Sequence, residues 1–218
     1  RSLKMLLVLA AIYIAVLYFI GELDTAIKIP FTSIEWIMPI WLYIPFVMFV
    51  VVGVVNAVNL TDGLDGLASS ITTIVGIFFM LVSYIVFKEY GVTVFSAALI
   101  GGLIGFLWYN KYPAKVFMGD TGSLALGGFV ASAAFILKMP IFIVIVGFIY
   151  LWESISVMLQ VGWFKLTKRK YGEGRRLFKM APFHHHLEKC GWKETKVVTL
   201  FYVATALLCL IGFLGCKY

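Results

Sequence analysis

Charge is scarce in this chain. Only 13% of its 218 residues are Asp, Glu, Lys or Arg, while 62% are hydrophobic. A soluble domain of this length is about one quarter charged and about half apolar. With a mean hydropathy of +0.99, lipid rather than a larger core has to shield the surplus. Cysteine is also sparse: Cys190, Cys209 and Cys216 lack paired spacing, which excludes a disulfide framework or a zinc site. No small-residue cleavage site follows the first apolar run, so that run reads as a spanning helix rather than a signal peptide. The opening Arg1-Ser2, in place of Met, reads as a cut end. Internal repeats and low-complexity linkers are missing, and residues 1–218 read as a single transmembrane domain. The net charge of +7 suggests nucleic acid, but the basic residues sit where membrane topology would put them, so no nucleic-acid partner is expected.

What is abundant is long apolar stretches. Seven of them, near 4–21, 40–60, 67–87, 92–108, 122–138, 140–162 and 197–215, suffice to cross the ~30 Å hydrocarbon core, which takes roughly 17–25 helical residues. The fold class expected is all-α: a polytopic transmembrane helix bundle. Residues 22–39 alternate and carry β-formers, which predicts a short β-hairpin outside the bilayer near 24–34. Arg1, Lys4, Lys111, Lys115 and the ten basic residues from Lys165 to Lys196 make fourteen on one side; Lys28, Lys88, Lys138 and Lys217 make four on the other. The basic side marks the cytoplasm. The loops at 60–66, 109–121 and 163–196 are therefore expected there, and the C-terminus outside.

Chemistry concentrates in three polar segments on that side. Asn56, Asn59, Asp62 and Asp65 recur every three residues, a spacing that stacks side chains on one face of a helix leaving the membrane. Gly63 and Gly66 allow tight turns and close approach of a ligand. Asp65 capping the next helix is the plain reading, but a cap needs one residue and four are present. An EF-hand is excluded, because the alternating oxygen ligands and closing Glu are missing. The second segment, Phe117-Met-Gly-Asp120-Thr-Gly-Ser123, precedes an apolar helix whose N-terminus favours phosphate. A carboxylate beside phosphate suits magnesium; an N-cap by Thr121 or Ser123 is the alternative. The third is Met180-Ala-Pro-Phe-His184-His185-His186. Adjacent histidines lack zinc-site separation, which leaves a phosphate contact, an acid–base role or a surface run without function. Glu153, inside an apolar helix, reads as structurally paired within the bundle.

In these segments the chain resembles the polyprenyl-phosphate N-acetylhexosamine-1-phosphate transferases. The residues that carry the likeness are Asn59-Leu-Thr-Asp62-Gly-Leu-Asp65-Gly-Leu-Ala, Val116-Phe-Met-Gly-Asp120-Thr-Gly-Ser and Met180-Ala-Pro-Phe-His-His-His. Within that superfamily the histidine segment is similar to the branch that uses a muramoyl-pentapeptide donor. The resemblance implies transfer of phospho-MurNAc-pentapeptide from UDP-MurNAc-pentapeptide to undecaprenyl phosphate, forming lipid I and UMP in peptidoglycan synthesis. It implies Mg²⁺, with Asp120 as metal carboxylate and Asn59 as a second ligand, and Asp62 as a catalytic or phosphate-organising carboxylate. Leu60, Asp65, Asn110 and Phe117 would frame the uridine, Phe117 stacking on the base. His184, His185 and His186 would act catalytically at the diphosphate or sugar end. It further implies a multi-pass protein of the bacterial cytoplasmic membrane with its site on the cytoplasmic face, and leaves a homodimer open. Members of the superfamily have about ten spans and an Asp-Asp pair in an earlier loop, so three spans and that pair are expected upstream of Arg1. A UDP-GlcNAc donor is the alternative within the superfamily. A cation transporter would spread its acids through the bilayer depth, whereas Asp62, Asp65 and Asp120 share one face; a scaffold would not need three converging polar loops.

Overall fold

The computed structural model of the chain describes residues 24–216 and, before them, Val8, Ala11, Ile12, Ile14, Ala15, Tyr18 and Phe19. Apart from those seven positions, the span expected near 4–21 lies outside the described residues. In lipid every backbone polar group has to be satisfied within the chain, so apolar runs form helices. Among the described residues, five helical segments are long and apolar enough to cross a membrane: α1 (Ile40–Thr61), α2 (Leu67–Val82, continued by a π turn to Phe87), α3 (Tyr90–Asn110), α4 (Gly119–Ile136) and, last of these, α8 (Glu194–Gly215). The outward faces carry Phe49, Phe95 and Leu207, an apolar exterior that water would not tolerate over so wide an area. The chain is a multi-pass membrane protein. The interior is built around α2, whose Leu67, Ile71, Val75 and Phe79 are fully buried between α3 and α8, while α1 packs along α4.

The stretch expected to run straight from 140 to 162 is broken. A 3₁₀ turn (Pro140–Phe142) and the short α5 (Ile143–Val146) meet α6 (Phe148–Tyr171) at 82°. Gly147 is the corner: a methyl group there would lie 2.8 Å from the Ile143 carbonyl oxygen. Beyond the corner α6 continues nine residues past the expected end. It stops at Gly172, whose φ of +80° is a left-handed C-cap, with Lys168, Arg169 and Lys170 against the negative end of the helix dipole.

The expected hairpin is present, with its second strand slightly later in the chain. β1 (Ala26–Lys28) pairs antiparallel with β2 (Glu35–Ile37), Ile27 opposite Trp36. Lys28 N–H donates to the Lys138 carbonyl and Phe31 N–H to that of Gly215. The hairpin thus ties together the helix ends opposite the loops 62–66, 111–118 and 172–193.

One crossing positions everything at that loop end. Gly127 of α4 lets α1 approach so closely that a methyl group there would come within 2.6 Å of Val55 Cα. One turn on from Val55 is Asn59, and one turn back from Gly127 is Ser123. Gly127→Ala forces backbones apart and is expected to cost about 1–3 kcal/mol in detergent unfolding. Gly128→Ala next to it meets nothing within 4 Å and should be neutral or slightly stabilising.

Candidate active site

α1 ends at Thr61, and Asp62 stands at its C-cap with its N–H on the Asn59 carbonyl. The reading of four acids and amides on one helical face therefore holds only for Asn56 and Asn59. Asn56 turns its amide back to the Val52 carbonyl, 2.7 Å away, and takes no part in the pocket. Asp62 and Asp65 lie on the loop that follows. Gly66, at φ +72°, turns that loop into α2.

Across from this loop, Asp120 sits in the first turn of α4, with no side chain capping the helix. Neither Thr121 nor Ser123 caps: the Ser123 hydroxyl bonds backward to the Gly119 carbonyl and accepts from Asn59. Asn59 Nδ2 donates to Asp120 Oδ1 at 3.1 Å and to Ser123 Oγ at 2.8 Å. Asn59, Asp62, Leu64, Asp65, Asn110, Phe117 and Asp120 line a common pocket of about 240 Å³. Partial burial, and secondarily the neighbouring Asp120 carboxylate, holds the Asp62 carboxyl above its usual range. Two carboxylates and the uncapped N–H groups of α4 thus face one small space, the first seeking a cation and the second an anion.

The remaining pocket residues divide between structure and contact. Asp65 accepts the Ala114 N–H on Oδ2 at 2.8 Å, and its own N–H donates to Glu194 Oε1 at 2.7 Å. It straps the 111–118 loop to α8. Asn110 is buried and its amide is committed, accepting from Ser69 Oγ and donating to the Val116 carbonyl. Phe117 is 75% exposed at the pocket rim and free to receive a flat ring. Leu60 is not a lining residue; the helix carries it away from the pocket, and Leu64 on the loop is there instead. Glu194 escaped the sequence reading because an acid in a helix's first turn looks like a complement to the dipole.

None of the histidines lines the pocket. All three sit on α7 (Phe183–Lys189), held to α6 by Phe183 against Trp152 and by Gln160 bonded to the backbone of Leu177 and Phe178. His185 pairs with Glu188 at 2.7 Å. His186 accepts the Lys179 N–H and packs on Phe178 and Phe183. His184 is fully buried with Nδ1 3.0 Å from Glu153 Oε2, so Glu153 is paired inside the bundle as expected. The opposite edge of the His184 ring abuts Gly63.

The donor set suits a hard cation. No group of three His, Cys, Asp or Glu stands ready to hold a metal among the described residues. Magnesium nevertheless needs only one or two carboxylates when phosphate oxygens and water complete its octahedron, and Asp120 could supply one, with Asp62 beside it on the same pocket. Asn59 meets Asp120 through its N–H, so ligation by its oxygen requires the amide to turn over.

A loop-end pocket of acids and helix N–H groups on a polytopic bundle defines a membrane protein whose candidate site lies at one end of its spans. Residues 2–138 match the family model for glycosyl transferase family 4, and the chain belongs to that family. It is 52% identical over 216 residues to the phospho-N-acetylmuramoyl-pentapeptide-transferase of Clostridium botulinum (strain Eklund 17B / Type B). Identity is 51% over 215 residues to that of Clostridium novyi (strain NT) and 49% over 212 residues to that of Acetivibrio thermocellus. These alignments take in 99%, 99% and 97% of the chain but 64%, 64% and 62% of the relatives, so the chain spans less than two thirds of their length.

Proposed function

We propose that the complete protein transfers phospho-MurNAc-pentapeptide from UDP-MurNAc-pentapeptide to undecaprenyl phosphate, giving lipid I and UMP. The observation that carries this reading is the convergence of Asn59, Asp62, Asp120 and exposed Phe117 on one pocket at the end of the bundle, joined to the relatives' names. An oxygen of the lipid phosphate bonds to the sugar-side phosphorus of the donor, and the bond from that phosphorus to the bridging oxygen breaks, releasing UMP. Such chemistry asks for positioning and charge neutralisation rather than a covalent role for the protein. Phe117 stacks the uracil, Leu64 and Asp65 flank it, and the uncapped start of α4 receives a phosphate. Asp62, with its raised proton affinity, orients the attacking lipid phosphate and takes up its last proton. Asp120, and Asn59 once its amide turns, would hold magnesium, which would supply charge that offsets the diphosphate. The pocket is smaller than the ~300–1,000 Å³ of sites that enclose a ligand, so the sugar and peptide lie outside it. The basic asymmetry of the loops supports a site on the cytoplasmic face of the bacterial inner membrane, where the lipid phosphate and a soluble nucleotide meet.

The test is an assay of the complete protein with undecaprenyl phosphate and each donor separately. Turnover is expected with UDP-MurNAc-pentapeptide and at least about tenfold less with UDP-GlcNAc, a difference of ~1.4 kcal/mol in barrier. Equal or faster turnover with UDP-GlcNAc would assign the protein to the other branch and leave the uridine and metal assignments untouched.

A further inference from the structure

Glu153 and His184 are the charged and titratable groups most completely withdrawn from solvent among the described residues, both at 0% exposure. Their pairing is directional. Glu153 accepts the His184 backbone N–H at 3.2 Å on Oε1 and faces Nδ1 at 3.0 Å through Oε2. A carboxylate only accepts, so a hydrogen bond between it and the ring requires the proton to sit on Nδ1, which the histidine labelling below reads directly. Nε2 then points away from Glu153, and it has no hydrogen-bond partner among the described residues although it is buried. It is directed at Gly63, where any Cβ would overlap the imidazole. Gly63 is the residue directly after Asp62, which lines the pocket.

We propose that Glu153 is a positioning residue: it locks the His184 ring against Gly63, so that α6 and α7 set the placement of the Asp62 loop without touching substrate. This rests on the reading of the pocket given above. It also revises what the sequence suggests for the first histidine, which acts from behind the loop instead of at the diphosphate. Gly63 is required for a stated reason, since the space of its side chain is occupied by the ring. The device uses buried groups because only a ring held on both edges transmits a position, and a displacement of about 1 Å at a reacting group can cost on the order of 10²-fold in rate.

The experiment uses the complete protein with Glu153→Gln, Glu153→Asp, Gly63→Ala, His184→Ala and the Gly63→Ala/His184→Ala pair. Selective ¹⁵N labelling of histidine, with the His184 signals identified by their loss in His184→Ala, should show a protonated Nδ1 and a bare Nε2. Glu153→Gln should disturb that pattern, lower kcat by at least about tenfold and change KM for the nucleotide donor less than about threefold. Glu153→Asp should recover part of kcat. Gly63→Ala should be severe alone yet add nothing to His184→Ala, in melting temperature as well as in rate, because the ring it collides with is gone. A proton on Nε2 rather than Nδ1, wild-type kcat in Glu153→Gln, or independent losses in the double variant would overturn the proposal. Absence of any phospho-sugar transfer in the unaltered protein would instead remove the functional reading, while the NMR pattern and the melting-temperature cycle still decide this one.

Discussion

Asp120→Asn in the complete protein is expected to abolish transfer, leaving well under a tenth of the original rate at ordinary magnesium levels. The reason lies in what the substitution keeps. Asn59 Nδ2 donates to Asp120 Oδ1, and an asparagine carbonyl at position 120 can accept the same bond. The α1–α4 contact below it, at Gly127, is untouched. Packing and melting temperature should therefore hold, and only the negative charge is removed. In the proposed reading magnesium would be held through that charge, so the effect should appear in kcat/KM and be partly relieved by raising magnesium. Retention of more than about a tenth of the rate, a loss of less than ~1.4 kcal/mol, would show that Asp120 does not hold the metal.

Asp62→Asn should match Asp120→Asn in lost activity while raising stability, which Asp120→Asn leaves nearly unchanged. Asp62 is raised in proton affinity first by burial and then by the Asp120 carboxylate, so in the metal-free protein its charge is a burden on the folded state. The sign follows from linkage. With the folded-state pKa above the unfolded one, the folded protein binds more protons between those values, and stability falls as pH rises through that window. An uncharged side chain removes the burden, so the metal-free variant should melt higher than the parent at neutral pH, with the gap closing as pH is lowered to the unfolded carboxylate range. Such exchanges of stability for activity are usual at sites built from like charges. A melting temperature below the parent's, measured without magnesium at pH 7, would show that Asp62 has a compensating partner in the fold.

Much of this molecule was legible along the chain because membrane insertion is decided locally. A run of apolar residues long enough to cross lipid becomes a helix whatever its neighbours do. The helices α1 to α4 and α8 accordingly fall where the hydropathy put them. Alternation around Ile27 likewise marked the hairpin, and clustered polar residues marked the loops. Motif likeness also singled out Asn59, Asp62, Asp65, Asn110, Phe117 and Asp120, which line one pocket, and Leu60, which does not.

Leu60 shows where local reading ends. Each residue turns a helix by about 100°, so whether Leu60 or Leu64 faces the pocket depends on where α1 stops, and it stops at Thr61. The 82° corner at Gly147 is another case. An apolar sequence is equally content straight or broken in lipid, and only packing against α1 and α8 selects the bend. The partnerships between Asn59 and Asp120, Asp65 and Glu194, and Glu153 and His184 join residues 61, 129 and 31 positions apart. No periodicity encodes such distances. The sequence by itself determined that this chain crosses membranes and that Asp62, Asp65 and Asp120 gather at one end of its spans. The tertiary structure decided which acids meet, because that depends on how closely two helices approach, and at Gly127 the approach is set by the absence of a single methyl group.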